Sequence, residues 1–243
     1  MNTYKTFICI DDTDEIGYYK STGQISEEIQ EYIQSKYAKC SVITRHQLFI
    51  HEDIPYTSHN SSMCFTTELS EDEKEDVTAF VIKHIEEFSA PTSQPGICIG
   101  FEKDIRDAKK LIEFGFDAKT KVLTKEDAYS MAKEQKFHLS EHKNDGQGVI
   151  GAVAGIALRL YGSDGRVKGN LKLKDKSISV KELLEHETID EVQFADGTVA
   201  SSDIVVHLND KLKRVMLKHK TVVLIQKDED AYKLLTTEQL RDY

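Results

Sequence analysis

The feature that most limits how this chain can fold is the run VIGAVAGIALRL, residues 149–160, which is apolar around nearly its whole circumference. A helix without a polar face cannot lie on a surface, so it has to be buried between layers. Candidate strands stand upstream: YKTFICI, SVITRHQLFI, MCFTTEL and GICIGF are rich in β-branched and aromatic residues. Two amphipathic helices separate them. Ile25, Ile29 and Ile33 recur every four residues from Gly23 to about Lys36. Ser70 followed by Glu73 is a capping box, and Val77, Phe80, Val81, Ile85 and Phe88 carry that helix to about Ser89. The order strand, helix, strand, strand, helix, strand predicts an α/β (α+β) fold, a ferredoxin-like mixed sheet layered with helices.

Downstream, Ile105, Ala108, Leu111 and Ile112 fit one helix, and Thr124 caps the next. After Gly162 the texture changes to short strands such as SDIVVHL and TVVLIQ, a capped helix from Ser179 to His186, and a turn at Asp196-Gly197. Residues 164–243 therefore read as a smaller, mostly β subdomain. With 243 residues, 39% of them hydrophobic, the chain can fill its core without staples. Cys9, Cys40, Cys64 and Cys98 lie too far apart for zinc spacing and read as buried free thiols. No stretch approaches the roughly 18 apolar residues of a membrane span, and the N-terminus lacks a signal-peptide pattern, so a cytoplasmic location and no membrane partner are expected. The net charge of -10 disfavours a general nucleic-acid binder. The alternating lysines between Arg166 and Lys176 form either a local basic patch or the solvated face of an edge strand.

Chemistry concentrates where the first strand ends. Asp11, Asp12 and Asp14 place three carboxylates within four residues, and they repel one another unless a cation lies among them. Oxygen donors of this kind suit magnesium, while an acidic turn with Asp14 bonded to the backbone is the plainer account. Thr22 and Gly23 open the first helix, where free amides attract anions and a hydroxyl can cap, touch a phosphate or accept one. Gly146, Gly148 and Gly151 open the buried helix, either to let amides approach a phosphate or to pack it tightly. Thr57, Ser58, His59, Asn60, Ser61 and Ser62 crowd neutral donors into one loop suited to a polar ligand. His46 and His207 fall in strand patterns and read as packing or edge residues.

Taken in order, CIDDTD, a threonine at the first helix, DIPYTSHNSS, QPGICI and GQGVIGAVAG resemble the archaeal tRNA isoleucine agmatinylcytidine synthase family, TiaS, over roughly residues 4 to 162. That family uses ATP and magnesium to phosphorylate a wobble cytidine, after which agmatine displaces the phosphate. The resemblance implies a kinase-like nucleotide and metal domain over residues 1–100 and a helical continuation with the glycine-rich loop over 101–163. It implies that Asp11, Asp12 and Asp14 handle metal and triphosphate. Thr22 takes the place of a threonine the family enzyme phosphorylates on itself. Thr13, Thr22, Gly23, His59, Asn60, Ser61, Gly146, Gly148 and Gly151 would form the nucleotide-binding set. The loop at His59 and Asn60 departs from the family's basic, glycine-rich version. The family's OB-fold and zinc ribbon have no counterpart among the motifs, so recognition of a whole tRNA is not expected. These features together predict an ATP- and Mg²⁺-dependent phosphotransferase or nucleotide-hydrolysing protein, kinase-like or ligase-like, with a small-molecule or RNA acceptor. A non-catalytic nucleotide sensor or partner-binding protein, and an RNA-binding accessory module, are the alternatives.

Overall fold

The computed structural model describes residues 2–54, 60–171, 176–208, 211–229 and 231–243. The chain divides into two compact units, Met1–Leu160 and Tyr161–Tyr243. Along the first run β1 (Tyr4–Asp11), α1 (Thr22–Lys36), β2 (Thr44–Gln47), β3 (Ser61–Leu69), α2 (Glu71–Phe88) and β4 (Gly96–Phe101). They are followed by α3 (Ala108–Asp117), α4 (Lys125–Glu134), β5 (His138–Glu141) and α5 (Gly148–Tyr161).

The five strands line up as β5-β4-β1-β3-β2, every neighbouring pair antiparallel. β3 separates β1 from β2, and β1 separates β3 from β4. Each helix crossover thus skips a strand, which is the split βαβ arrangement of ferredoxin-like sheets. Side chains alternate across β1 because of the two-residue strand period. Ile8 and Ile10 join Ile25, Ile29, Ile33, Val77, Val81 and Ile85 in a core on the α1 and α2 side. Phe7 and Cys9 join Leu111, Phe114, Ala128 and the residues of α5 in a second core on the opposite side. The unit therefore has three layers, and the all-apolar helix is buried in one of them, as its composition demands.

Small residues let α5 come close to the sheet. Cys9 stands opposite both Cys64 and Cys98 in register, so three free, buried thiols cross the sheet in a row. A Cβ at Gly155 would lie 2.3 Å from Cys9 Sγ and 2.6 Å from Ser62 Oγ, inside contact distance. Glycine is required there by proximity rather than by backbone conformation.

Several boundaries differ from the sequence reading. β2 is four residues long rather than ten, because Ser41 engages β3 partly through its side chain, its Oγ accepting from the Thr66 N–H at 2.9 Å. Ile105 precedes α3, which starts after Asp107 caps it by accepting from the Lys110 N–H. β5, HLSE, lacks the apolar alternation that marks a strand and is recruited by pairing with β4. The capping box of α2 (Ser70, Glu73) and the Thr124 cap of α4 form as read, and the structure completes the latter into a box with Asp127.

The second unit contains β6 (Arg166–Val167), β7 (Ser177–Ser179), α6 (Val180–Leu184), β8 (Glu191–Phe194), β9 (Val205–His207), β10 (Val215–Leu217), β11 (Lys220–Asp228) and β12 (Ala231–Leu234). It is mostly β, in the order β6-β10-β11-β12-β9-β7 with β8 beside β11. Its helix ends at Leu184, short of the expected His186. In the lysine run, β6 pairs with β10 and Leu171 bridges Leu212, while residues 172–175 lie outside the described residues. No described helix is long and apolar enough to cross a membrane.

Candidate functional site

Strand register gathers the sequence motifs at one end of the first unit's sheet. Asp11 closes β1 and pairs with Gly96, the first residue of β4, which also pairs with Glu141, the last residue of β5. Ile10 pairs with Met63 near the start of β3, and Gln47 at the end of β2 pairs with Ser61. Onto this edge open the first turns of α1 and α5, joined to it by hydrogen bonds. The Thr22 N–H donates to Asp14 Oδ2 at 3.0 Å, and the Gly148 N–H donates to the Gln94 carbonyl at 2.9 Å.

Each aspartate commits one oxygen to the backbone. Asp11 Oδ1 accepts from the Asp12 N–H at 2.9 Å, and Asp12 Oδ2 accepts from the Gln94 N–H at 3.2 Å. Asp14 Oδ2 takes the Thr22 bond described above. Asp12 occupies the left-handed region at φ 53°, a conformation that Asp and Asn tolerate better than other non-glycine residues. Burial pushes the Asp11 carboxyl well above the usual carboxylate range, and Asp12 and Asp14 push it further. Burial and then Asp14 raise Asp12 to about 6, against the opposing hydrogen bond from Gln94. Among the described residues no cationic side chain pairs with any of the three, and no three His, Cys, Asp or Glu side chains converge closely enough to hold a metal by themselves.

The cap of α1 belongs to Ser21 rather than Thr22. Its Oγ accepts from the Gln24 N–H while Gln24 Oε1 accepts from the Ser21 N–H, a capping box that S-x-x-Q in the sequence encodes. Thr22 is thereby released from capping, and its Oγ1 accepts from the Thr13 N–H at 3.4 Å. Thr13 is wholly buried, and its own hydroxyl finds no partner among the described residues. Gly23 is buried beside them in the first turn.

The glycines lie directly against the carboxylates. A Cβ at Gly151 would fall 1.7 Å from Asp11 Oδ2, and one at Gly148 would fall 2.6 Å from the Gly96 nitrogen and 2.9 Å from the Asp11 carbonyl oxygen. Gly146 has φ +58°, and a Cβ there would meet the Glu141 side chain. The amides of residues 147 to 150 all donate to protein acceptors: Gln94 Oε1, Gln94 O, Gly146 O and Gln147 O. In this geometry Gly148 and Gly151 pack closely beside Asp11 and Gly146 beside Glu141, and those amides are taken.

Asn60 and Ser61 sit at the same sheet end but are engaged in holding β2 to β3. Asn60 Nδ2 donates to the Phe49 carbonyl at 2.7 Å, and Ser61 Oγ accepts from Arg45 Nε at 2.8 Å. His59, Thr57 and Ser58 lie outside the described residues. His46 is fully buried, its Nε2 2.8 Å from Thr44 Oγ1, and His207 is exposed on β9. The residue that sequence reasoning passes over is Gln94, which binds Asp12 through its amide and α5 through its carbonyl and side chain. Its signal is the position of QPG immediately before the strand that flanks Asp11.

No protein-family model and no curated protein sequence matches the chain. Solved structures do. A tRNA fluorescent labelling enzyme is 21% identical over 71% of this chain and 37% of its own, with a TM-score of 0.53. Apo TiaS, a tRNA agmatidine synthetase, is 20% identical over 63% of this chain and 35% of its own, with a TM-score of 0.50. TiaS in complex with tRNA and ATP is 18% identical over 82% of this chain and 50% of its own, with a TM-score of 0.55. This chain thus spans from about a third to half of these three chains, and at this level of identity the likeness establishes architecture: it has a TiaS-like fold.

Proposed function

We propose that this protein is an ATP- and Mg²⁺-dependent phosphotransferase that works at the Asp11–Asp14 strand end. The observation that carries the reading is the cluster of three uncompensated carboxylates at a converging strand end, two of them raised by burial and mutual repulsion. A cation held there relieves that repulsion. Magnesium is usually held by one or two carboxylates together with phosphates and water rather than by a full protein cage. Asp12 and Asp14, each with one oxygen lacking a partner among the described residues, fit that division. Magnesium would supply charge neutralisation on the phosphate oxygens.

The protein's own residues then have separable tasks. Asp11, seated against Gly151, holds the Asp12 amide and so the left-handed turn that presents Asp12. Asp14 ties the start of α1 to the carboxylates, which keeps the Thr22 hydroxyl beside them. Thr22 is the candidate acceptor within the chain, and the TiaS-like fold, solved elsewhere with tRNA and ATP, supports RNA as the final acceptor class. The expectation that whole tRNA is not recognised draws no support from the fold.

Thr22 is only 6% exposed, so its hydroxyl is not open to a phosphoryl donor in this conformation. That burial favours a second reading, nucleotide binding without turnover. Asp12→Asn keeps the left-handed backbone acceptable and removes one charge. Magnesium-dependent ATP turnover is expected to fall at least about a hundredfold in this variant, the scale of losing a preorganised electrostatic contact. Mass spectrometry should find phosphate on Thr22 in the wild type. Turnover unchanged by Asp12→Asn would sink the assignment, and tight ATP binding with neither turnover nor a phosphorylated Thr22 would move it to the sensing reading. Retention of RNA at low salt, where electrostatic binding is strongest, tests the acceptor class.

A further inference from the structure

The last strand of the first unit's sheet carries a polar chain that phosphate chemistry leaves unused. On β5, His138 and Ser140 stand at alternate positions, with His142 immediately past its end, so the three share one face. Ser140 pairs with Ile97, a member of the core under α1 and α2, so this is the sheet face opposite the one where Asp11 meets Gly151. Ser140 Oγ lies 2.9 Å from His142 Nε2 and 3.0 Å from His138 Nε2. On its far side the His142 ring brings Nδ1 within 3.4 Å of Glu86 Oε1 on α2. The His142 side chain is sheltered, at 9% exposure, while Glu86 reaches solvent.

These contacts give the protons one direction. A carboxylate beside Nδ1 keeps the imidazole proton there, which leaves Nε2 as an acceptor. The Ser140 hydroxyl then donates to His142, and its oxygen accepts from the His138 Nε2–H. Burial, then His142 and Lys74, hold His138 below the usual imidazole range, so near neutral pH that ring is uncharged with a single N–H to give. A hydroxyl aimed at an imidazole that a carboxylate backs is the arrangement that activates a serine. A metal fits poorly, since among the described residues no three His, Cys, Asp or Glu side chains converge on one point. We propose that Ser140 is an acyl-accepting nucleophile for small carboxylic esters, with His142 as its base and Glu86 positioning the ring. Ser140 is half-buried, which limits the ester to a small one. The proposal stands apart from the phosphate reading, because its groups lie on the other face of the sheet. Ser140 Oγ bonds to the carbonyl carbon while its proton passes to His142 Nε2; the bond to the alcohol oxygen breaks, and the alcohol leaves with that proton. Water then adds to the acyl-serine and gives a proton to His142, which returns it to Ser140 Oγ as the carboxylic acid departs.

The probe is p-nitrophenyl acetate, whose good leaving group makes acylation report mainly on the nucleophile. It is reacted with the full chain as wild type, Ser140→Ala, His142→Gln and Glu86→Gln, with melting curves to confirm folding, and acetylated peptides are mapped by mass spectrometry. Acetyl on Ser140 of the wild type, formed at least about a hundredfold more slowly in His142→Gln, supports the proposal. Glu86→Gln is expected to slow p-nitrophenol release roughly tenfold or more at unchanged KM, a split that loosened packing alone would not give. An unchanged rate in that variant removes the positioning role. Acetyl confined to lysines, or Ser140 acetylated as fast in His142→Gln as in the wild type, overturns the nucleophile. If His142→Gln fails to fold, the wild-type map still decides, because a Ser140 without acetyl overturns the proposal by itself. Mg·ATP turnover, expected at the wild-type level in Ser140→Ala, is measured separately, so the failure of either reading leaves the other standing.

Discussion

The two faces of the first unit's sheet are built to different rules. The face under α1 and α2 is dry and bulky: Ile8, Ile10, Phe65, Ile97 and Ile99 meet three isoleucines of α1 and the valines of α2. The face under α5 is floored by cysteines and serines and approached by glycine and alanine, and it also buries Asp11, Thr44, His46 and Arg159. On that side the Arg159 guanidinium donates to Thr44 Oγ1 at 3.2 Å and Ser41 Oγ at 2.9 Å. The first face can be understood by burial alone, at roughly 1.5–3 kcal/mol for each fully buried Ile. The second trades bulk for close approach, and that approach brings a helix start against a carboxylate.

The contrast can be broken most forcefully from the dry side. Ile29→Ala opens a cavity between α1 and the sheet and should cost about 2–5 kcal/mol. Denaturant unfolding measures that loss, and the folded fraction should bind Mg·ATP as the wild type does. Gly155→Ala is expected to cost less, about 1–3 kcal/mol, because the added methyl collides with Cys9 Sγ and Ser62 Oγ and overpacks the interface. That variant should also weaken Mg·ATP, since moving α5 disturbs Gly151 against Asp11. Equal nucleotide affinity in the two variants would abolish the distinction between the faces.

The smallest effect is one of pH. Asp12 is raised from 3.8 to about 6 in the folded protein, so the fold holds a proton that the unfolded chain releases. Its stabilising contribution is complete below about pH 4 and is lost as pH rises through about 6. The ceiling is about 3 kcal/mol, and partial contact of Asp12 with solvent reduces it to the order of 1. Subtracting the Asp12→Asn melting curve from the wild-type curve between pH 4 and 7 isolates this contribution, and saturating Mg²⁺ should shrink it. A difference that stays flat with pH refutes the burial and charge repulsion that raise Asp12.

How far these features are legible in the sequence depends on whether their cause is local. Helix α1 is readable from Ile25, Ile29 and Ile33, and α2 from its capping box, because periodicity and caps involve residues within a few positions of one another. The Ser21–Gln24 box is equally local and equally readable, although the neighbouring Thr22 hydroxyl is the more conspicuous chemical group. β5 is not readable, since HLSE becomes a strand only by pairing with β4. The site divides in the same way. The acidic cluster stands out in the sequence, but the tying of Asp12 by Gln94, 82 positions away, does not.

Pattern and composition suffice to bury a helix that has no polar face, to alternate strands and helices in split βαβ order, and to crowd three carboxylates at the first strand's end. What the glycines are for emerges only in the folded molecule. Proximity between Gly151 and Asp11 arises because α5 lies across a floor of small side chains contributed by three strands, and no pattern within one segment encodes such a packing.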